Sequence, residues 1–279
     1  MIIDCHTHVF SPRVKQNRRQ YIDRDACFAV LYSAEKARLA TAEELIESMD
    51  AAGIDVSVIA NIGWTTHELC AETNDYILES ITRYPDRLIG FCAVQPKFLR
   101  ESVTEIERCA RAGARGIGEL RPDTQMFNLT DDEAMPVFVE SMLKHRLALL
   151  IHASEPAGHQ YPGKGATTPQ ELYPFITRYP SLTTICAHWG GGLPFYALMP
   201  EVREAMKNVY FDTAASPFLY RPRIYDIARQ LVGADKILFG SDYPLMAQSR
   251  PLREISDTGL AEGDKNLILS GNARRLFGI

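Results

Sequence analysis

The chain has 279 residues, 46% hydrophobic and 23% charged, with 30 basic against 35 acidic residues and a formal net charge of −5. Those fractions exclude disordered, collagen-like and fibrous proteins, and the acidic balance leaves no basic footprint for nucleic acid. No apolar run reaches the roughly 18 residues a membrane helix needs, and MIIDCHTHVF lacks the basic and long apolar regions of a signal peptide, so no membrane partner and a cytoplasmic location are expected.

Taken in chain order, Ile2–Cys5 is an apolar strand that runs into His6-Thr7-His8. The stretch 10–40 is too long for a bare loop and is expected as an insertion over one mouth of the fold, with residues such as Tyr21 or Phe28 reaching the cavity there. Thr41-Ala42-Glu43-Glu44 is a capping box that opens a helix with Leu45, Ile46 and Met49 on one face and Gly53 as its stop. Strands follow at Val56–Asn61 and Leu88–Val94, then a helix over Arg100–Arg111 that groups Val103, Ile106 and Ala110. Further strands are predicted at Ala114–Glu119, Leu147–His152, Leu182–His188, Val209–Asp212 and Ile237–Asp242, with Thr168-Pro169 opening a helix after the fifth strand. Most of these runs are continuously apolar, which indicates strands covered on both faces, as in a parallel sheet. Eight such strands alternating with helices predict one (β/α)8 barrel spanning 1–279, in the α/β class, rather than a doubly wound sheet.

Six cysteines are scattered without a CxxC pair, so zinc-finger and thioredoxin-like readings fail and free, mostly buried thiols are expected. The chemistry lies elsewhere. His6 and His8 alternate on a strand, so both imidazoles project to one face and can clamp a metal. Glu119, His152, His188 and Asp242 each terminate an apolar run, which places them with the first pair at the C-terminal mouth of a barrel. Nitrogen and carboxylate donors together suit a borderline divalent cation: Zn first, with Mn, Fe or Co as alternatives. Trp64, His67, Arg121, Tyr161, Trp189 and Tyr196 follow strand ends, and an aromatic-and-arginine lining suits a planar carboxylated substrate. Asp4 is placed to orient a histidine.

Those motifs carry a resemblance across the whole chain. DCHTHV, AGID, YPDRLIGFCAVQP, GIGEL, IHASEP, AHWGGG and FGSDYP resemble the amidohydrolase superfamily, in the amidohydrolase-2 family that includes aminocarboxymuconate-semialdehyde decarboxylase and related metal-dependent hydrolases. The resemblance implies metal ligation by His6, His8, His152 and Asp242, with His188 binding a second metal or activating water. Glu119 divides the reading. The mononuclear decarboxylases of the family usually lack a carboxylate there, whereas binuclear hydrolases have a bridging one. Bridging by Glu119, or acceptance by it of a hydrogen bond from a metal-bound water or from Arg121, are the two roles open to it.

The bridged pair of metals is the arrangement expected, and it implies a hydrolase that activates water to cleave an amide, ester or lactone of a small carboxylated substrate, with Asp242 moving the proton and His188 steadying the oxyanion. One metal, with His188 as acid–base, implies instead a non-oxidative decarboxylase or hydratase of a carboxylated aromatic or unsaturated acid. A nucleic-acid phosphodiesterase and a non-catalytic barrel rank below both. The partner expected is a small molecule, and a homodimer is an assembly open to such a chain.

Overall fold

In the computed structural model, which describes residues 1–279, eight short strands are hydrogen-bonded in sequence order, every pairing parallel. They are β1 (Ile3–His8), β2 (Val56–Ala60), β3 (Leu88–Cys92), β4 (Gly116–Leu120), β5 (Ala148–Ile151), β6 (Thr184–Cys186), β7 (Val209–Asp212) and β8 (Ile237–Leu238). The sheet closes on itself: Cys5 N–H donates to Phe239 O at 2.7 Å, Asp242 N–H to His6 O at 2.9 Å, and His8 N–H to Tyr243 O at 2.7 Å. The fold is the (β/α)8 barrel that the alternation predicts. No helix is long and apolar enough to cross a membrane.

Two strands stop well short of their apolar runs. β6 stops at Cys186 and β8 at Leu238, because the chain turns out of the sheet to place His188 (φ 54°) and Asp242 (φ 65°) in the left-handed region. That conformation costs non-glycine residues of order 1–2 kcal/mol and persists only where the surroundings enforce it. A donor that must point along the barrel axis cannot also continue the ladder.

The core has two layers. Alternate strand residues, including Val58, Phe91, Leu150, Ile185 and Leu238, fill the barrel interior, and Phe277 from the last helix packs edge-on to Phe91 at its base. A larger layer joins the outer strand faces to the helices. The capping box at Thr41 and Glu44 is formed, and Leu45 and Met49 of helix Ala42–Ala52 are buried. Helix Leu99–Arg111 departs from the expected face: Ile106 is buried with Glu105, while Val103 and Ala110 are only half-buried. Glu105 tolerates burial because Arg108 and Asn74 satisfy its carboxylate at 2.7 Å each.

The 10–40 segment folds as three short helices, Pro12–Gln16, Arg18–Arg24 and Ala26–Tyr32. Phe10, Tyr21 and Phe28 pack with Ile62, Trp64 and Ala93, residues just beyond the C-terminal ends of β2 and β3. Tyr21 and Phe28 are thus committed to a small satellite core and do not reach the site. Tyr32 and Cys27 of this segment do feel the charges of the mouth: at Tyr32 burial first, then Asp242 and Glu119, push the hydroxyl well above the ordinary tyrosine range.

The barrel filling depends on an absent side chain. A Cβ at Gly116 would lie 2.4 Å from the Phe91 ring. Gly116→Ala should therefore destabilise the protein by about 1–3 kcal/mol, read as a lowered denaturant midpoint. Adding Phe91→Leu should recover part of the loss, and an unchanged midpoint in the single variant would contradict this packing.

Candidate active site

Donors from five strands converge at the C-terminal mouth. His6 Nε2 and His8 Nε2 lie 3.0 Å apart. Asp242 Oδ1 is 3.5 Å from His8 Nε2 and 4.0 Å from His6 Nε2. Glu119 stands between two histidine pairs, with Oε2 3.7 Å from His8 Nε2 and 3.9 Å from His6 Nε2. Its Oε1 is 2.9 Å from His152 Nδ1 and 3.3 Å from His188 Nε2. Two donor triads share that one carboxylate: His6, His8 and Glu119, and Glu119, His152 and His188.

The remaining ring atoms show what the cluster is built to hold. His6 donates Nδ1–H to Asp212 Oδ2 at 2.8 Å, and His8 donates Nδ1–H to Ala60 O at 3.1 Å. When both rings are neutral, two bare Nε2 lone pairs face each other, which is repulsive unless a proton or a cation lies between them. His188 repeats the pattern, with Nδ1–H donated to Ala214 O at 3.1 Å and Nε2 turned to Glu119. Imidazoles anchored through one nitrogen, with the other turned inward beside carboxylates, fit a divalent metal site.

The charges agree. Burial alone would disfavour a charged ring at His6, but Asp212, Glu119 and Asp242 outweigh it and raise its pKa to about 10. His188 reaches about 9 against the same burial, through Glu119 and Asp242. His8 is lowered, by burial and by His6, and His152 falls to about 4, by burial and then by Arg121. Glu119 stays well below the usual carboxylate range despite its burial, because His152, His188 and His6 surround it. Without a cation, the cluster keeps two protons to balance its carboxylates, and a metal would take their place.

Two supporting carboxylates have different jobs. Asp212, the last residue of β7, orients the His6 ring and also accepts the His188 backbone N–H at 2.9 Å. It was legible in the sequence, since it ends an apolar run just as Glu119 and His152 do, yet it is absent from the predicted set. Asp4, expected to orient a histidine, touches no imidazole. It accepts from Ser241 N–H at 2.9 Å, Ser241 Oγ at 2.6 Å and Gln248 Nε2 at 2.8 Å, and so pins the turn that carries Asp242.

The expected lining divides. Trp64 and Trp189 are fully buried and have no face to offer a substrate. Trp64 donates Nε1–H to Asn61 and stacks on Phe28, and Trp189 donates to Ser216 beside Tyr225. Large aromatic area next to a strand end was better used as packing. Tyr161 and Tyr196 do line a cavity. Arg121 is buried beside His152. Its Nη2 donates to Gly163 O at 2.8 Å, and its Nε and Nη1 have no partner. The Asp123 carboxylate lies 3.6 Å from Nη2, so the buried charge is partly balanced while two N–H groups stay without an acceptor.

A metal centre at the mouth of a (β/α)8 barrel defines a class of metal-dependent enzymes, and the family follows from comparison with known proteins. The amidohydrolase family model matches residues 3–279, and the chain belongs to that family, the amidohydrolase-2 family. Gamma-resorcylate decarboxylase of Polaromonas sp. is 21% identical over 256 residues, covering 76% of each chain. The 2-amino-3-carboxymuconate-6-semialdehyde decarboxylase of Dictyostelium discoideum is 24% identical over 278 residues, 84% of this chain and 76% of that one. The structure of 5-carboxyvanillate decarboxylase from Novosphingobium aromaticivorans, which has bound manganese, matches with a TM-score of 0.80 at 21% identity, over 100% of this chain and 97% of that one. These relatives are decarboxylases, which overturns the expected hydrolysis of an amide, ester or lactone. The inference from a carboxylate on β4 to hydrolysis fails for a physical reason: a donor set determines the charge a site can hold, not the bond it breaks.

If Glu119 serves both triads, metal-loaded protein should hold close to two cations per chain, and Glu119→Gln should lose one of them preferentially. Elemental analysis giving one metal for both proteins would refute this. Because His6 and His188 hold protons up to about pH 10 and 9, loading the metal-free protein near pH 7.5 should release about two protons, and affinity should rise with pH. Calorimetry in buffers of differing ionisation enthalpy measures that number. Asp212→Asn should weaken metal retention about 10–100-fold while the barrel stays folded.

Proposed function

We propose that this protein is a divalent-metal-dependent, non-oxidative decarboxylase of a small carboxylated aromatic or unsaturated acid. The observation that carries the reading is the relationship across three-quarters of the chain or more to decarboxylases of such acids. The site is chemically suited to it. The reaction replaces a carboxylate by a proton: a proton adds to the carbon bearing the carboxylate, the C–C bond breaks, its electron pair returns to the π system, and CO2 departs.

Each step has a candidate residue. Arg121, with two unpartnered nitrogens, can hold the substrate anion near His152. Asp242 is the least enclosed donor, its side chain 13% exposed, and it is the group best placed to carry a proton to an incoming carbon. His188, anchored by Ala214, can keep or release a proton as the charge at Glu119 changes. His6, His8, Glu119 and Asp242 would hold one cation, and a second on Glu119, His152 and His188 would take the place of the His188 proton. When bound, the metal supplies positive charge to the oxygens of the substrate. Zinc and manganese both suit imidazole and carboxylate donors, and a related structure holds manganese. Buried free thiols and the acidic balance fit a cytoplasmic enzyme acting on a small molecule, without nucleic-acid or membrane partners.

The test uses protein loaded separately with Zn and Mn, supplied with gamma-resorcylate and 5-carboxyvanillate in D2O. CO2 release with one deuterium placed at the vacated carbon is expected. Asp242→Asn should lower kcat by about 10²–10⁴-fold, and Arg121→Met should act mainly on KM. Absence of CO2 from these and related carboxylated phenols, with metal fully bound, would overturn the reading.

A further inference from the structure

Three of the four imidazoles at the mouth are anchored in the same way. His6, His8 and His188 each donate Nδ1–H to an oxygen that only accepts (Asp212 Oδ2, Ala60 O and Ala214 O) and turn Nε2 inward. His152 is reversed. Its Nδ1 faces Glu119 Oε1 at 2.9 Å, and its Nε2 is 3.2 Å from the Ser154 hydroxyl. The anchor of this ring is therefore a group that both donates and accepts.

The surroundings hold that hydroxyl in place. Ser154 is fully buried. Its backbone N–H donates to Thr167 O at 2.8 Å, and its hydroxyl oxygen accepts Gly165 N–H at 2.9 Å. Gly165 comes this close because it lacks a side chain: a Cβ there would lie 3.1 Å from both His152 Cδ2 and Arg121 Nη2. On the other side, Gly191 packs on the Ser154 carbonyl, where a Cβ would lie 2.3 Å away. Gly165 occupies one lone pair of the hydroxyl, which leaves one lone pair and one hydrogen for His152.

The two nitrogens of the ring then constrain each other. Glu119 is ionised and only accepts, so with no cation between them Nδ1 carries the hydrogen, Nε2 is bare and Ser154 donates to it. A cation held by Glu119, His152 and His188 needs the nitrogen that faces Glu119 to be bare. The ring then carries its hydrogen on Nε2, and the same Ser154 oxygen accepts it. The Ser154 hydrogen has the Tyr161 oxygen to turn to: burial and Glu155 push the Tyr161 hydroxyl up, and a hydrogen bond with Ser154 opposes them. A carbonyl in this place could not donate to a bare Nε2, and a backbone N–H could not accept from a protonated one.

We propose that Ser154 is the positioning residue of His152, a hydroxyl that changes from donor to acceptor as the ring hydrogen passes from Nδ1 to Nε2. His152 thereby takes up a cation without turning its ring and without a change in its proton count. Nothing in this depends on the reaction catalysed, only on the triad of Glu119, His152 and His188. Nitrogen-15 NMR of histidine-labelled protein reads the tautomer directly: the His152 hydrogen should be on Nδ1 in metal-free protein and on Nε2 after loading with Zn. Calorimetric titration of Zn into metal-free Ser154→Ala should show the second cation bound about 10–100-fold more weakly and the first unchanged. The proposal is overturned if the loaded wild type keeps the hydrogen on Nδ1, if metal-free protein already carries it on Nε2, if Ser154→Ala binds both cations as the wild type does, or if the two affinities fall together. The NMR comparison uses the wild type, so it decides the matter even where the variant fails to fold. A single bound Zn with the hydrogen moved to Nε2 would sink the two-cation reading and leave the role of Ser154 standing.

Discussion

The site is organised around one buried carboxylate. Glu119 lies in a strand inside the barrel, where an isolated charge would be costly, and it stays ionised because imidazoles stand against both of its oxygens. That arrangement in turn sets the protonation of the cluster: His6 and His188 are held positive, His8 and His152 neutral. The mouth is a place where positive charge must be supplied, by protons or by a divalent cation, and the neighbouring backbone is arranged to keep it so.

Closure of the barrel delivers the donors. The hydrogen bonds from Cys5, His8 and Asp242 across the β1–β8 seam bring the last donor against the first two, although they are separated by nearly the whole chain. Asp4 reinforces the same seam through Ser241 and Gln248. Its four hydrogen-bond donors favour the ionised form, but complete burial outweighs them and raises its pKa to about 6. Asp212 ties β7 to both His6 and the backbone of His188. The left-handed conformations at His188 and Asp242 are the local cost of turning donors inward at strand ends.

Hydrolases and decarboxylases can share such a mouth because the metal donors face the barrel axis while selection occurs on the loops. Here the loops after β5, β6 and β7 form an aromatic cavity, and Arg121 after β4 keeps two N–H groups without a partner.

The eight apolar runs and their parallel arrangement were legible in the sequence, because continuous hydrophobicity reports burial on both faces and strand spacing reports crossovers. That His6, His8, Glu119, His152, His188 and Asp242 would meet was legible for the same reason: a polar residue closing an apolar run has only the mouth of the barrel to occupy. Sequence could not assign Trp64 and Trp189 to packing, since an aromatic residue at a strand end looks the same whether it meets a ligand or another side chain. Nor could it choose Tyr32 over Tyr21 and Phe28, whose separation depends on how three short helices dock. The unpartnered N–H groups of Arg121 belong to tertiary structure alone, because a missing hydrogen bond is a property of everything that surrounds an atom, and no local stretch of chain contains its surroundings.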